Sequence, residues 1–429
     1  MKVLFIYSSF QRHAQAHPEL LEYVPMNEYL GSPSLGLACL AAVTPPHWEV
    51  EFRDDRLEPA DRPTDANLVA FSFFTAAASR AMQLGDYFRA QGKPTVAGGI
   101  FPTAMPEVAA EHFDSVVVGE GDGVWPTVLA DVEAGALKKR YERVECALGS
   151  LPLPKVSMYI DNEGERFHPD DYPVQLSRGC PLNCHSCILP VSMTKSLREY
   201  PLDHVIGQLD QLKKFGKRAS LTEDTSWLPG KGNRLLSALF DHLVRTGQEA
   251  RISYVGISMP MIIATPMPLL EKARKAGVTM FYLVGGFDPV TMRAFTGRDP
   301  KQLERAHQAI AKCHDAGIEP YTSFLYGQDD DDEGTVDRML EFAAASGIRK
   351  AEFAIFTPYP GTPSWKRLVA EDRILHTDWS RYNDANCVYK PKRLSPEQVT
   401  QGYLRLWRDF YADKKHFLTA SHDERTIQF

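Results

Sequence analysis

Short apolar segments alternate with helical segments along the first third of the chain. This alternation indicates a parallel β-sheet, because parallel strands need a crossover connection that is usually a helix. It predicts a doubly wound, flavodoxin- or Rossmann-like α/β domain over residues 1–148, with a ligand site beyond the carboxyl ends of its strands. The predicted strands are Val3–Tyr7, Trp48–Arg53, Leu68–Phe73, Pro94–Ala97 and Ser115–Val118. The predicted helices are Ser34–Val43, Thr75–Ala90, Thr103–His112 and Asp122–Glu133.

A second alternation follows a linker with several Pro and Gly residues over residues 149–173. Its six βα units, over residues 174–378, favour a partial (β/α)6 barrel that is open on one side rather than a closed eightfold barrel. Residues 379–429 are predicted to be a helical extension, with Ser395 capping a helix that packs its aromatic face on the barrel. The predicted barrel strands are Val174–Ser177, Arg218–Thr222, Arg251–Ile257, Met280–Val284, Pro320–Tyr326 and Glu352–Pro358.

Three cysteines follow the first predicted barrel strand at the spacing C-x3-C-x2-C: Cys180, Cys184 and Cys187. Three thiolates in one short loop can hold three corners of a [4Fe-4S] cluster and leave the fourth iron open to bind and activate a ligand. The alternative is a structural zinc site with His185 or a distant cysteine as fourth ligand. Zinc loops usually pair two short units, and no second unit is present. The other cysteines, which are single and widely separated, read as buried thiols.

Composition narrows the possible partners and the compartment. The 429 residues carry a net charge of −7, which gives no indication of a nucleic-acid or anionic-membrane binder. Seven cysteines do not form a secreted disulfide framework. The chain starts with a predicted strand rather than a signal peptide, and no apolar run approaches the roughly 20 residues that span a bilayer. We therefore expect a cytoplasmic protein without a membrane span.

The residues around the cysteines resemble those of the radical S-adenosylmethionine (SAM) superfamily. Residues 177–181 read Ser-Arg-Gly-Cys-Pro, and residues 357–363 read Thr-Pro-Tyr-Pro-Gly-Thr-Pro, similar to the family's sixth-strand motif. The resemblance implies that the open iron binds SAM and that reductive cleavage yields a 5′-deoxyadenosyl radical. In the first domain, residues 33–37, 98–103 and 118–121 resemble the cobalamin-binding-type domain of one radical SAM subfamily.

The resemblance also implies two sets of cofactor contacts. For the cluster, the ligands are the three cysteines, bound as thiolates. For SAM, the expected residues follow the barrel strands: Glu223, Asp224, Ser253 (with Ser258 as an alternative on the same strand), Gly327, Ile355, Phe356 and Pro358. For cobalamin, the expected residues follow the strands of the first domain: Ser8, Phe73, Phe74, Thr75, Gly98, Gly99, Phe101, Gly119 and Glu120. For the phenylalanines, an ordinary place in the core is the alternative.

Three positions depart from the pattern of the family. Ser186 replaces an aromatic residue that commonly precedes the last cluster cysteine, Gly286 replaces a glutamate after the fourth strand, and Phe101 replaces a histidine. None of the 13 histidines lies two residues after an aspartate, which excludes an Asp-x-His-x-x-Gly axial ligand. Many members of the subfamily lack that motif too, and cobalamin stays an expected cofactor.

The sequence therefore favours a cobalamin-dependent radical SAM enzyme that methylates an unactivated carbon of a small metabolite. A second hypothesis is a radical SAM enzyme for cyclisation, rearrangement or oxidation, with an empty or structural first domain. A third is an iron–sulfur protein that senses redox state or iron. We expect a small-molecule substrate and a reductant protein such as a flavodoxin or ferredoxin, and no nucleic-acid partner.

Overall fold

The fold is seen in a computed structural model of the chain, which describes residues 1–23, 32–164, 168–221, 224–247 and 252–413. The side chains of residues 224, 231 and 232 are not part of that description. The described strands form two six-stranded sheets and one two-stranded ribbon. The two βα alternations of the sequence therefore correspond to two separate parallel sheets.

The first sheet consists of β1 (Lys2–Tyr7), β2 (Glu49–Asp54), β3 (Leu68–Ser72), β4 (Thr95–Gly98), β5 (Ser115–Val118) and β6 (Arg140–Glu142). All strands are parallel, in the order β2-β1-β3-β4-β5-β6. The order reverses direction at β1, which confirms the doubly wound, flavodoxin-like domain. The sequence pattern does not predict β6, because its three residues, Arg-Tyr-Glu, contain no apolar run.

Helices cover both faces of this sheet. Phe5 of β1 packs with Trp125, whereas Leu4 and Ile6 belong to the cluster around the helix Ala78–Ala90. The predicted helix Thr103–His112 is wrong as a single element, because Pro106 disfavours helical backbone at the preceding residue. Its place is taken by Ile100–Ala104 and Pro106–His112. The other helices and helical turns of this part are His13–Ala16, Pro18–Glu22, Leu35–Val43, Thr75–Ala77, Trp125–Glu133, Leu148–Ser150 and Ser157–Ile160.

The chain between the two sheets differs from its prediction. The first barrel strand is β7 (Asp171–Pro173), which lies inside the predicted linker, and the predicted strand Val174–Ser177 is wrong. After one bond from Val174 N to Ser220 O, at 2.9 Å, the chain leaves the sheet. It then forms a ribbon in which β8 (Ser177–Arg178) pairs antiparallel with β9 (Arg198–Glu199). Residues 174–176 resemble a strand because the apolar side chains of Val174 and Leu176 are buried in the core.

The second sheet continues with β10 (Arg218–Leu221), β11 (Ile252–Ser258), β12 (Met280–Val284), β13 (Glu319–Tyr326) and β14 (Lys350–Ile355). Its parallel order is β14-β13-β12-β11-β10-β7. Within the described residues β7 and β14 are its two edges, which confirms the open partial barrel. Its helices and helical turns are Leu189–Ser192, Leu202–Lys214, Asp224–Trp227, Lys231–Thr246, Met259–Ala264, Met267–Lys275, Thr291–Arg293, Pro300–Asp315, Thr335–Ala345, Pro363–Ala370 and Trp379–Arg381.

The last described helix, Pro396–Tyr411, packs against β14. It begins with a capping box in which Ser395 Oγ accepts from Gln398 N at 3.2 Å and Gln398 Oε1 accepts from Ser395 N at 2.8 Å. The aromatic face of the helix then packs on Phe353 of β14. The packing predicted for this helix is present. The predicted domain boundaries otherwise stay a prediction.

Of the helices that the structure describes, none combines the length and apolar character needed to cross a membrane.

Candidate functional site

The cysteine loop, residues 179–197, is closed at its base and attached to the barrel at its tip. Gly179 has φ +84°, and a Cβ there would lie 2.2 Å from Ser196 O, so only glycine fits the turn. Cys180 N donates to Thr194 O at 3.1 Å, which closes the base. Near the tip, Ser186 N donates to Phe287 O at 3.1 Å. The loop is therefore held against the segment that follows β12.

The segment after β14 also meets the cysteine loop. Ser364 N donates to His185 O at 3.0 Å, and the hydroxyls of Ser186 and Ser364 lie 2.7 Å apart. A Cβ on Gly361 would lie 2.9 Å from Val191 of the cysteine loop and 3.4 Å from Ala104 of the first domain. The sixth-strand motif therefore lies where the cysteine loop and the first domain meet. Ser186, which departs from the family pattern, is one of the residues that attach the loop.

The residues predicted to contact SAM do not all lie at this end of the barrel. Ile355, Phe356 and Pro358 lie at or after the carboxyl end of β14, and all three are buried. Gly327 follows β13, where its φ of +87° and close packing on Val399 account for the glycine. Glu223 lies outside the described residues, and of Asp224 only the backbone is described.

Ser253 is placed differently from its prediction. It is the second residue of β11, near the amino end of the strand, and its hydroxyl donates to Ala219 O at 3.1 Å. Ser258, the alternative, ends the strand about 16 Å further along, since strands rise about 3.3 Å per residue. The structure therefore argues against Ser253 as a SAM contact and leaves Ser258 at the correct end.

A cavity of about 410 Å³ lies between the first domain and the cysteine loop, beyond the carboxyl ends of β3, β4 and β5. Residues of the barrel side, Gln175, Arg178, Ser192 and Met193, also line it. Six of the residues predicted to contact cobalamin line this cavity: Phe73, Phe74, Gly98, Gly99, Gly119 and Glu120. The cavity therefore joins the predicted cobalamin site of the first domain to the ends of the cysteine loop.

The other three predicted cobalamin contacts are not among the lining residues. Phe101 is fully buried in the core, where it stacks on Phe73 with ring centroids 5.9 Å apart and meets Trp379 edge-on at 5.2 Å. Thr75 is buried at the start of a helical turn. Ser8 is buried, and its hydroxyl has no hydrogen-bond partner among the described residues. The position of Phe101 therefore supports packing in the hydrophobic core rather than contact with cobalamin.

A second group of polar residues lies inside the barrel. Glu352 of β14 is fully buried, and its side chain forms an ion pair with Arg12 from the segment that follows β1. Glu352 Oε1 also lies 3.1 Å from His13 Nε2, and Tyr282 donates to Oε2 at 2.9 Å. We call these four residues the Glu352 cluster. Burial alone would raise the pKa of Glu352, but Arg12, His13 and Tyr282 together lower it to about 2.

The Glu352 cluster extends to a second carboxylate. Asp384 lies 3.9 Å from the Arg12 guanidinium and accepts a hydrogen bond from Tyr359 at 2.7 Å. Burial raises the pKa of Asp384. His13 and Asp384 both have positive φ, at 38° and 62°, a conformation that non-glycine residues seldom adopt and that often marks functional sites. The sequence shows a weak sign of Glu352, a charge within an apolar strand, but none of its partner Arg12.

Comparison with known proteins gives methyltransferases and, at lower identity, magnesium-protoporphyrin IX monomethyl ester cyclases as relatives. No protein-family model matches the chain. It is 26% identical over 406 residues to the bacteriochlorophyllide d C-8(2)-methyltransferase of Chlorobaculum tepidum, covering 92% of this chain and 88% of that protein. The bacteriochlorophyllide d C-12(1)-methyltransferase of the same organism is also 26% identical, over 389 residues, covering 88% of this chain and 82% of that protein.

A solved structure has the same fold along most of its length. It is TsrM, a radical S-adenosylmethionine methyltransferase from Kitasatospora setae, with cobalamin and a [4Fe-4S] cluster bound. The TM-score is 0.66 at 14% identity, covering 95% of this chain and 88% of that chain. The relatives are methyltransferases by name, and the protein of this fold is a radical SAM enzyme with cobalamin bound. The resemblance stated from the sequence is therefore confirmed.

The zinc site that the sequence leaves as an alternative would need several ligands around one ion. Within the described residues, no group of three His, Cys, Asp or Glu side chains is arranged to hold a single metal ion. A [4Fe-4S] cluster needs wider spacing, because its thiolates bind different iron atoms rather than one. The roles assigned to the individual cysteines stay a prediction.

Proposed function

We propose that the protein is a cobalamin-dependent radical SAM methyltransferase that acts on an unactivated carbon of a small metabolite. The observation that carries the proposal is the cavity between the first domain and the cysteine loop. One wall comes from the strand ends of the first domain. The other includes Arg178, which precedes the three cysteines in the chain, and Ser192 and Met193, which follow them. A cofactor in that cavity would lie against the loop that holds the cluster.

The wall of the cavity lets a ligand approach the backbone closely. Five glycines line it: Gly36, Gly98, Gly99, Gly119 and Gly121. A Cβ on Gly99 would lie 2.8 Å from Phe73 N and 2.9 Å from Ser72 Oγ, so the wall has no room for a side chain there. Phe73 and Phe74 add apolar surface. Backbone groups and aromatic rings can bind a flat macrocycle together, because they offer both hydrogen bonds and dispersion contacts.

The residues of the chain would divide the work between two sites. The three cysteines would hold the cluster, and the buried residues after β14 would bind the adenine end of SAM. When bound, the cluster and SAM would supply a hydrogen-abstracting radical, and cobalamin would supply a transferable methyl group. The protein would position these groups and exclude water. A flavodoxin or ferredoxin would supply the electron.

The substrate is proposed to be a small metabolite with an inert carbon. The two curated relatives act on bacteriochlorophyllide d, as their names state, and cover most of this chain. Bacteriochlorophyllide-type tetrapyrroles are therefore the first compounds to assay. At 26% identity the likeness does not extend to one carbon position of one pigment.

The test starts with protein expressed with hydroxocobalamin and reconstituted anaerobically with iron and sulfide. We expect corrin absorption bands near one per chain and release of 5′-deoxyadenosine when SAM and a reductant are added. The Cys184→Ala variant should lose 5′-deoxyadenosine release. Cys387→Ala is the matched control, because Cys387 is a single buried thiol whose Sγ bonds only to Tyr389 O, at 3.2 Å, among the hydrogen bonds of the structure.

Two results would contradict the proposal. If Cys184→Ala releases 5′-deoxyadenosine as fast as the wild type, the radical chemistry does not come from the cysteine loop. If the wild type releases 5′-deoxyadenosine but holds no corrin, the protein is a radical SAM enzyme of the non-methylating kind. In the expected case, labelled methyl groups from SAM appear on a carbon of the substrate.

A further inference from the structure

The cysteine loop begins and ends on two arginines that face each other. In the ribbon of β8 and β9, Arg178 is paired directly with Arg198. Cys180, Cys184 and Cys187 all lie in the loop between these two residues. Like charges directly opposite each other on antiparallel strands destabilise the pair. The base of the cysteine loop therefore needs negative charge from another part of the chain.

That charge comes from the first domain, from the loop after β5. Asp122 binds the Arg178 guanidinium through both carboxylate oxygens, at 2.6 and 3.2 Å. Glu120 lies 3.3 Å from the same guanidinium and also pairs with Arg198. The formal charges of the four side chains cancel, two positive against two negative. We call these four residues the charge clamp.

The charge clamp is almost completely withdrawn from water. The side chains of Arg178 and Asp122 are 6% and 8% exposed, and those of Glu120 and Arg198 are 12% and 18% exposed. Arg178 has further partners, because Gln175 Oε1 accepts from Nε at 2.9 Å and Cys39 Sγ lies 3.7 Å from Nη2. A pair with this geometry and burial interacts more strongly than a surface pair. Three of the four clamp residues, all except Arg198, also line the cavity.

We propose that Arg178 is a positioning residue that ties the cysteine loop to the cobalamin cavity, so that the first domain sets where the cluster lies. This inference rests on the proposed function for the identity of the two cofactors. The tie itself, between the loop after β5 and the base of the cysteine loop, depends only on the contacts of the clamp. Occupation of the cavity, whose wall includes the clamp, then stabilises the cysteine loop.

The first measurement is amide hydrogen exchange of the anaerobically reconstituted protein, with and without hydroxocobalamin. Asp122→Asn keeps the shape of the side chain but removes its charge. We expect exchange in residues 179–197 to rise about tenfold or more, although the substitution lies in the other domain, because opening of the loop becomes easier. Arg178→Lys keeps the charge but loses the bidentate contact with Asp122. It should give a smaller rise in the hydrogen exchange of the same residues.

The matched control is Asp55→Asn. Asp55 also binds an arginine through both oxygens, with Arg80 Nε and Nη2 each at 2.8 Å, but this pair lies within the first domain. The Asp55→Asn variant should lower overall stability without a selective change in the hydrogen exchange of residues 179–197. The proposal is overturned if Asp122→Asn leaves exchange of the cysteine loop within about twofold of the wild type, or if Asp55→Asn raises it equally.

The second measurement is the magnetic interaction between cob(II)alamin and the reduced cluster, read by pulsed electron paramagnetic resonance. In the wild type we expect one narrow distance, and in Arg178→Lys a broader distribution. An unchanged distribution would contradict the positioning role. If the wild type holds no corrin, the proposed function fails instead, and the exchange of residues 179–197 still decides whether the clamp holds the loop.

Discussion

Removal of the Arg12 guanidinium tests whether the first domain holds the buried carboxylate inside the barrel. Glu352 is fully buried, and its pKa is about 2, against 4.5 for an ordinary glutamate. That difference corresponds to roughly 3 kcal/mol of stability at neutral pH. Arg12→Met leaves the charge with only His13 and Tyr282 as partners. Loss of one partner of a buried ion pair costs about 3–5 kcal/mol.

The dependence of stability on pH should change sign in the Arg12→Met variant. In the wild type the pKa of Glu352 is lowered by folding, so its contribution is complete above pH 4.5 and is lost as the pH falls towards 2. Without Arg12, burial dominates and raises the pKa of Glu352. The variant is then relatively most stable at low pH and loses stability as the pH rises. Urea unfolding from acidic to neutral pH measures both effects.

Two further variants complete the test. Glu352→Gln combined with Arg12→Met should recover about 2 kcal/mol or more relative to Arg12→Met alone, because no charge stays buried without its partner. Arg140→Met is the control, since Arg140 and Glu107 form a surface pair with side chains 45% and 84% exposed. It should cost less than about 1 kcal/mol. The reasoning is refuted if Arg12→Met costs no more than Arg140→Met, or if the double variant recovers nothing.

Three further predictions concern the cavity and the barrel. Gly99→Ala should lose about 3 kcal/mol of stability and most of the bound corrin, because φ is +97° and the new Cβ would lie 2.8 Å from a backbone atom. Gly135→Ala is the control, because a Cβ at Gly135 would have nothing within 4 Å. It should cost about 1 kcal/mol and keep the corrin. Urea unfolding and corrin absorption check both variants, and equal losses would count against the cavity as the cofactor site. Burial raises the pKa of Asp171 to about 6, so its charged form costs stability as the pH rises from 3.8 to about 6. Asp171→Asn should therefore gain roughly 2 kcal/mol at about pH 8 but nothing at about pH 3, and a gain of the same size at both would contradict the role of burial. Phe101→Leu should lower the unfolding free energy by about 1 kcal/mol and leave corrin affinity unchanged. Phe74→Leu should weaken corrin affinity. Titration with hydroxocobalamin distinguishes the two variants.

The elements with strong local patterns could be predicted from the sequence. β5 has the predicted bounds, and the other strands of the first sheet except β6 begin or end within one residue of theirs. Long apolar strands followed by helices carry this information locally. β7 and the ribbon of β8 and β9 could not be predicted, because strands of two or three residues are defined by their partners.

The candidate site divides in the same way. Cys180, Cys184 and Cys187 could be recognised because their spacing lies within one short loop. Several glycines of the cavity could be recognised because they follow predicted strands. Ser253 could not be placed correctly, since the alternation of a strand leaves open which of its polar residues lies at the carboxyl end of the barrel.

The sequence by itself determined two parallel sheets and a cysteine loop able to hold an open cluster, because both depend on residues close together in the chain. Only the tertiary structure decided which distant residues meet. Arg12 reaches Glu352 across 340 positions, and Arg178 reaches Asp122 across 56. A sequence does not distinguish a charged side chain on the surface from one in a buried ion pair. The packing of the first domain against the rest of the chain makes these pairs, because it removes the water that would otherwise solvate the charges.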